Sequence, residues 1–208
     1  MTPRRTIATF LAACLAVSQP ALAETADKEA AALFASGVAA FNDGRPDAAM
    51  LSFKTLACDF PQSKLAAPAR FMQAKSLVAM ARFEDAVVVL DAFIENSPSS
   101  PLVSDALMLR GESLVAASAL APHFREAAIS FSMAMESDDI SRSQRGRAAY
   151  RLLDTLLRMG DDESARRAAA DLTERELLEV ARIAAAERNF RLARIYGATP
   201  NQQPHQSP

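Results

Sequence analysis

Three stretches of this chain repeat at a fixed step of 37 residues. Phe34, Phe71 and Met108 keep that step, as do Gly37, Ala74 and Gly111. Ala49 and Ala86 keep it too, with Phe53 and Leu90, and Pro61 and Pro98. A period of this size marks stacked supersecondary units, because one unit cannot bury its own apolar face. Such arrays commonly bind partners along a concave surface. The period therefore points to a binding scaffold.

Apolar residues recur at three- and four-residue intervals, and no stretch alternates with period two, so each repeat reads as two helices and a tight turn. In the first repeat, helix one is predicted over 26–42 and stops at Asp43-Gly44, where glycine takes the left-handed conformation without strain. Helix two starts near Pro46 and ends before Pro61. The second repeat begins near Ser63, turns at Ala81-Arg82 and ends before Pro98. The third begins at Ser100-Pro101, read as a serine N-cap followed by proline at the first helical position. Its turn, Ser118 to Pro122, is four residues longer, so Ala127 and Phe131 fall 41 residues after Ala86 and Leu90. A degenerate fourth pair spans 141–172 with its turn at Gly160-Asp161. A charged last helix over 174–196, closed by Gly197, caps the stack, and residues 197–208 read as a disordered polar tail.

The repeated small residues Gly37, Ala74 and Gly111 imply close helix approach, since glycine in mid-helix costs up to about 1 kcal/mol relative to alanine. Phe53, Leu90 and Phe131 are expected to fill the space between one pair and the next. Phe83 and Phe124 plug the turns.

Residues 1–23 form an address: two arginines by residue 5, an apolar run from Ile7 to Val17, and Ala21-Leu22-Ala23 as a small-x-small cleavage site. That pattern is a secretory signal, too short for a membrane span, with cleavage after Ala23. A second reading stands beside it. Leu11-Ala12-Ala13-Cys14 matches a lipobox, in which Cys14 is lipidated and anchors the chain. The mature chain of about 185 residues suffices for one domain. It keeps one cysteine, Cys58, read as a small buried hydrophobe, with an intermolecular disulfide or a reactive thiol as alternatives.

From Glu24 to Ser141 there are 16 acids and 9 bases, and from Arg142 onward 12 arginines and 9 acids. The net negative charge and the export signal argue against a nucleic-acid binder. The arginines of the second half alternate with acids at helical spacing, as on a solvated, salt-bridged face; a patch for an anionic partner is the alternative. Chemistry is sparse. His123 falls in a turn and His205 in the tail, no Cys-x-x-Cys occurs, and there is no phosphate-cradling glycine loop and no G-x-S-x-G elbow. No cofactor or metal is expected. Asp138-Asp139 and Asp161-Asp162-Glu163 read as caps of the helices that follow them, with Ca²⁺ ligands or catalytic carboxylates as the alternative.

Gly37, Gly44, Ala49, Phe53 and Pro61 together resemble the consensus of the tetratricopeptide repeat family. Repeat two keeps Phe83, Ala86 and Pro98, and repeat three keeps Gly111, Phe124, Ala127 and Phe131. Repeat four keeps little beyond Gly160 and Ala165. The resemblance covers residues 30–140 well and 141–172 weakly, as repeats over 30–62, 63–99, 100–140 and 141–172 with a cap over 174–196. The family period is about 34, and the added junction residues resemble the bacterial envelope subgroup. That subgroup includes the periplasmic coordinator that works with the Tol-Pal system and the repeat lipoprotein of outer-membrane-protein assembly.

The resemblance implies an all-α, right-handed superhelix of antiparallel helix pairs whose first helices line a groove. The groove set is Phe34, Val38, Phe41 and Asn42; Phe71, Lys75 and Val78; Met108, Glu112 and Val115; and Tyr150, Asp154, Leu157 and Arg158. Inter-repeat core is the competing reading for each. The implied function is a non-catalytic periplasmic adaptor for an envelope protein or peptide. Its rivals are a lipid-anchored subunit of an outer-membrane assembly complex, in membrane contact through Cys14, and, remotely, an envelope hydrolase.

Overall fold

The computed structural model describes residues 24–117, 121–189 and 191–192. The proposed cleavage site, Cys14, Gly197, His205 and the tail lie outside the described residues. Those described are helical with no strand. The helices are α1 (24–42), α2 (Pro46–Asp59), α3 (Ala66–Ala79), α4 (Phe83–Asn96), α5 (Val103–Ala117), α6 (Ala121–Glu136), α7 (Arg142–Arg158), α8 (Asp162–Ala170) and α9 (Glu174–Ala186). None is long and apolar enough to cross a membrane.

The chain divides into two compact units at Met80/Ala81, inside the second repeat. In the first unit α2 packs on α3, and α1 packs on α2 through the rings of Phe34 and Phe53. Its core is built on Ala30, Ala40, Ala49, Phe53, Leu56, Ala57, Ala66 and Ala69. In the second unit α4, α5, α6 and α7 pack in chain order, and α8 and α9 both pack on α7. Its core runs from Leu107 through Phe131 and Leu153 to Val180 and Ala184.

The helix ends follow from identifiable chemistry. Gly44 (φ +71°) and Gly160 (φ +76°) end α1 and α7 in the left-handed conformation. At the first, Arg45 N–H donates to Ala40 O and Gly44 N–H to Phe41 O; at the second, Asp161 N–H donates to Leu156 O and Gly160 N–H to Leu157 O. Both are Schellman ends, which satisfy carbonyls the helix leaves open. Ser141 and Thr173 start α7 and α9 with reciprocal capping boxes to Gln144 and Glu176.

Two boundaries differ from the sequence reading. α9, expected to run over 174–196, ends at Ala186, and residues 191–192 are helical again. Arg188 takes φ +57°, and Asn189 N–H donates to Ala184 O, so a Schellman end closes on an arginine where no glycine announces it. Ser100 does not cap a helix that starts at Pro101: its Oγ accepts from Leu102 N–H at 3.3 Å, and α5 begins two residues after the proline. Pro122 is already inside α6, while 118–120 lie outside the described residues. Cys58 is exposed, not buried, because α2 turns Phe53, Leu56 and Ala57 inward instead.

The mid-helix glycines have a specific cause. A Cβ on Gly37 would stand 2.7 Å from Phe53 Cε1, and one on Gly111 would stand 2.5 Å from Phe131 Cε1. Each phenylalanine ring lies on the glycine of its own pair; it does not serve only the junction between pairs, as expected. Repeat two carries the volumes differently, with Ala74 in glycine's place and Leu90 in phenylalanine's.

Gly111→Ala should therefore destabilise the protein by about 1–3 kcal/mol through overpacking. Combining it with Phe131→Leu should cost clearly less than the sum of the two single changes. Urea unfolding followed by circular dichroism measures the coupling; additive losses would mean that the ring and the glycine do not depend on each other.

Candidate partner-binding faces

In the first unit, α1 presents Phe34, Val38 and Phe41, and α3 presents Phe71, Lys75 and Val78. Each set is spaced i, i+4, i+7, which places its members on one helix face. All six are half-buried, and Asn42 is exposed. Phe34 sets its ring edge-on to Phe53 with centroids 5.5 Å apart, a favoured aromatic geometry. Lys75 Nζ lies 5.8 Å from the Phe41 ring centroid and 5.9 Å from that of Phe71. The fold thus joins Phe41, Phe71 and Lys75 from two helices in one cation–ring cluster.

The second unit places its expected groove residues differently. Met108 and Leu157 are each 7 % exposed and Tyr150 is 2 % exposed, so they belong to the core. Glu112 and Val115 are half-buried and Arg158 is exposed. Asp154 is buried but fully engaged: Arg158 Nε stands 2.8 Å from Oδ2, and Asn189 Nδ2 donates to Oδ1 at 2.6 Å. Tyr150 donates its hydroxyl to Glu187 at 2.9 Å. Burial, with the charges of Asp154 and Glu187, holds that phenol above its ordinary pKa. Arg151 lies between Glu112 (3.3 Å) and Glu187 (3.2 Å).

A cavity of about 430 Å³ opens here, lined by Tyr150, Asp154, Leu157 and Arg158 from α7 and by Glu187, Arg188, Asn189 and Arg191. Sequence reasoning missed Arg151, Glu187 and Asn189. Their role depends on the early end of α9, which no sequence signal marks.

Among the described residues of the second half, six arginines pair with carboxylates: Arg145, Arg151, Arg158, Arg167, Arg182 and Arg191. Such a solvated, paired face is what alternating charge at helical spacing describes.

The acidic turns divide. Asp161 caps α8 by accepting from Ser164 N–H at 3.0 Å, and that bond, followed by the one to the Ser164 hydroxyl, lowers its pKa. Asp139 does not cap the helix that follows it. It accepts from Ser104 N–H at 3.2 Å and Ser104 Oγ at 2.9 Å, and from the Ser137 hydroxyl. It therefore caps the first turn of α5, 35 residues earlier. Burial alone would raise the Asp139 pKa; the three hydrogen bonds outweigh it and hold the carboxyl below the ordinary value.

A family model described as outer membrane lipoprotein, YfiO, matches residues 26–158. The chain belongs to this family. The match spans α1 to α7, so α8, α9 and the far wall of the second-unit cavity lie beyond it. No curated protein matches the chain. Among solved structures it is similar to the apo form of RapI, at 12 % identity over 82 % of this chain with a TM-score of 0.59. The chain spans only 61 % of that structure's length. It is also similar to two structures of nearly identical TPR-like repeats from a putative kinesin light chain of Podospora anserina, each at 12 % identity. Their TM-scores are 0.56 and 0.55, with 79 % and 83 % of this chain covered and 89 % and 96 % of theirs. These likenesses establish the fold: an all-α helical repeat of TPR type.

Within that fold Asp139 ties the end of the third repeat to its own start at Ser104, and the bond has a pH signature. A carboxyl with a depressed folded-state pKa stabilises above its unfolded value, near 3.9, and loses that contribution as pH falls through the folded value. Asp139→Asn should cost about 1–2 kcal/mol at pH 7, the usual cost of a lost cap. The gap to wild type should begin to narrow as pH falls below about 3.9 and close only below the depressed folded-state value, where both side chains are neutral. Urea midpoints followed from pH 7 down through that range measure it; a gap that does not change with pH would rule out a charge-dependent cap.

Proposed function

We propose that the chain is a non-catalytic adaptor of the bacterial cell envelope, acting in the periplasm, that binds a protein or peptide partner on the first helices of its repeats. One observation carries the reading. Phe34, Val38 and Phe41 on α1, with Phe71 and Val78 on α3, are apolar residues that the first unit leaves partly exposed. Partly exposed aromatic surface of this kind gains by further burial, at about 25 cal/mol per Å², and with Asn42 and Lys75 at its margin it suits a segment of mixed polarity. On the second unit, taken by itself, Glu112, Val115 and Arg158 are the accessible members of the proposed set, and Met108, Tyr150, Asp154 and Leu157 are buried beneath the surface of that unit. A family fold of TPR type supports protein recognition over catalysis.

Phe71→Ala combined with Lys75→Glu should abolish partner capture and leave helicity at the wild-type level. Crosslinking in living cells from a photoreactive residue at Lys75, with Arg182 as control, reads this directly. One dominant envelope adduct at Lys75 supports the face described here. Adducts at Arg182 alone would move the contact to the arginine-rich half.

The second reading is a lipid-anchored subunit of an outer-membrane assembly complex. The family's description as an outer membrane lipoprotein favours it, together with Leu11-Ala12-Ala13-Cys14. Mass spectrometry of the mature N-terminus separates the two. A first residue of Glu24 means a soluble periplasmic adaptor; an acylated Cys14, lost in Cys14→Ser, means an anchored one.

A further inference from the structure

The proposed partner face of the first unit carries one formal charge. Five of its residues are apolar, Asn42 is neutral, and only Lys75 is ionised. Lys28 and Arg45 of the same unit pair with Glu24 and Asp43. Among the described residues Lys75 has no carboxylate within ion-pair distance, and its ammonium rests instead over the Phe41 and Phe71 rings. Residues 24–80 hold six acids and six bases, so no net field opposes an approaching acid.

Two ring faces are a weak counterpart for an ammonium that has given up part of its water. A cation on a ring gains about 0.5–1 kcal/mol at exposed sites, whereas a hydrogen bond from ammonium to carboxylate is among the strong ones. An incoming carboxylate therefore draws Lys75 off the rings. That same movement bares Phe41 and Phe71, which then need a new apolar cover.

We infer that the partner segment carries a carboxylate directly beside a large apolar side chain. The carboxylate takes the Lys75 ammonium, and the apolar group takes the ring surface that Lys75 vacates. This rests on the adaptor reading above and specifies its ligand. Selectivity comes from both halves: a basic segment meets Lys75 as a like charge, and a purely acidic one leaves the bared rings in water.

Random peptides displayed on phage and selected against the full mature chain test it. The baits are wild type, Lys75→Gln, Lys75→Glu and Phe71→Ala, each first shown to keep wild-type helicity. Wild type should enrich peptides with Asp or Glu next to Phe, Leu, Ile or Met. Lys75→Gln should keep the apolar enrichment and lose the acidic one, Lys75→Glu should shift it toward Lys and Arg, and Phe71→Ala should recover neither. In a synthetic peptide from the wild-type pool, Glu→Gln should weaken binding to wild type about fivefold and leave binding to Lys75→Gln unchanged. Equal acid content in the wild-type and Lys75→Glu pools, with the pool still lost in Phe71→Ala, overturns the carboxylate inference and leaves the adaptor face standing. No enriched pool on wild type, or pools that Phe71→Ala does not alter, overturns both.

Discussion

The contact on which the helix pairs depend is a phenylalanine ring laid on a glycine of the facing helix. With no Cβ at Gly37 or Gly111, the Phe53 and Phe131 rings enter space that an alanine methyl would occupy. The backbone cost of a mid-helix glycine is up to about 1 kcal/mol. Burying a phenylalanine side chain contributes about 1.5–3 kcal/mol, so the exchange favours the pair. The same contact reaches the proposed partner face. Gly37 sits between Phe34 and Phe41 on α1, and Phe34 rests its edge on the Phe53 ring. The depth to which Phe53 sinks therefore sets how far Phe34 stands out of the first unit.

Much of the fold was legible because its signals are local. Proline at the start of α2, glycine after α1 and α7, and three- to four-residue apolar spacing each act within a turn of helix. Two local signals were also present and went unread: Ser141-x-x-Gln144 and Thr173-x-x-Glu176 are capping boxes in plain sequence. What was illegible depends on distant partners. Arg188 takes a left-handed conformation that a non-glycine residue adopts at a cost of about 1–2 kcal/mol. The neighbouring Asn189 is held by Asp154, 35 residues away, and no window of sequence contains that bond. Asp139 shows the same limit: its position beside α7 predicts a cap for α7, whereas the helix it caps, through Ser104, is α5.

The candidate site divides along the same line. Spacing placed Phe34, Val38, Phe41, Phe71, Lys75 and Val78 on two helix faces, and the fold brings Phe41, Phe71 and Lys75 together. The same spacing placed Met108, Tyr150 and Leu157 on the corresponding faces of α5 and α7, yet there they are covered. A helical period locates a face but not the depth of the neighbour packed against it. On α7, α9 supplies such a neighbour, close enough that a Cβ on Gly146 would stand 2.6 Å from Glu179 Cγ.

The two units consequently offer a partner different things. On α7 the polar groups near the surface are already matched: Asp154 has Arg158 and Asn189, and Glu187 has Tyr150 and Arg151. A newcomer there must replace hydrogen bonds that exist, and an exchange of one satisfied bond for another yields little net free energy. On α1 and α3 the aromatic surface is partly exposed and Lys75 rests over two rings. A carboxylate offered to Lys75 replaces those weak ring contacts with a stronger charge-assisted hydrogen bond. On the proposed adaptor reading, free energy for association is concentrated in the first unit, and an unpaired charge pressed against the paired ions of the second would be desolvated without compensation.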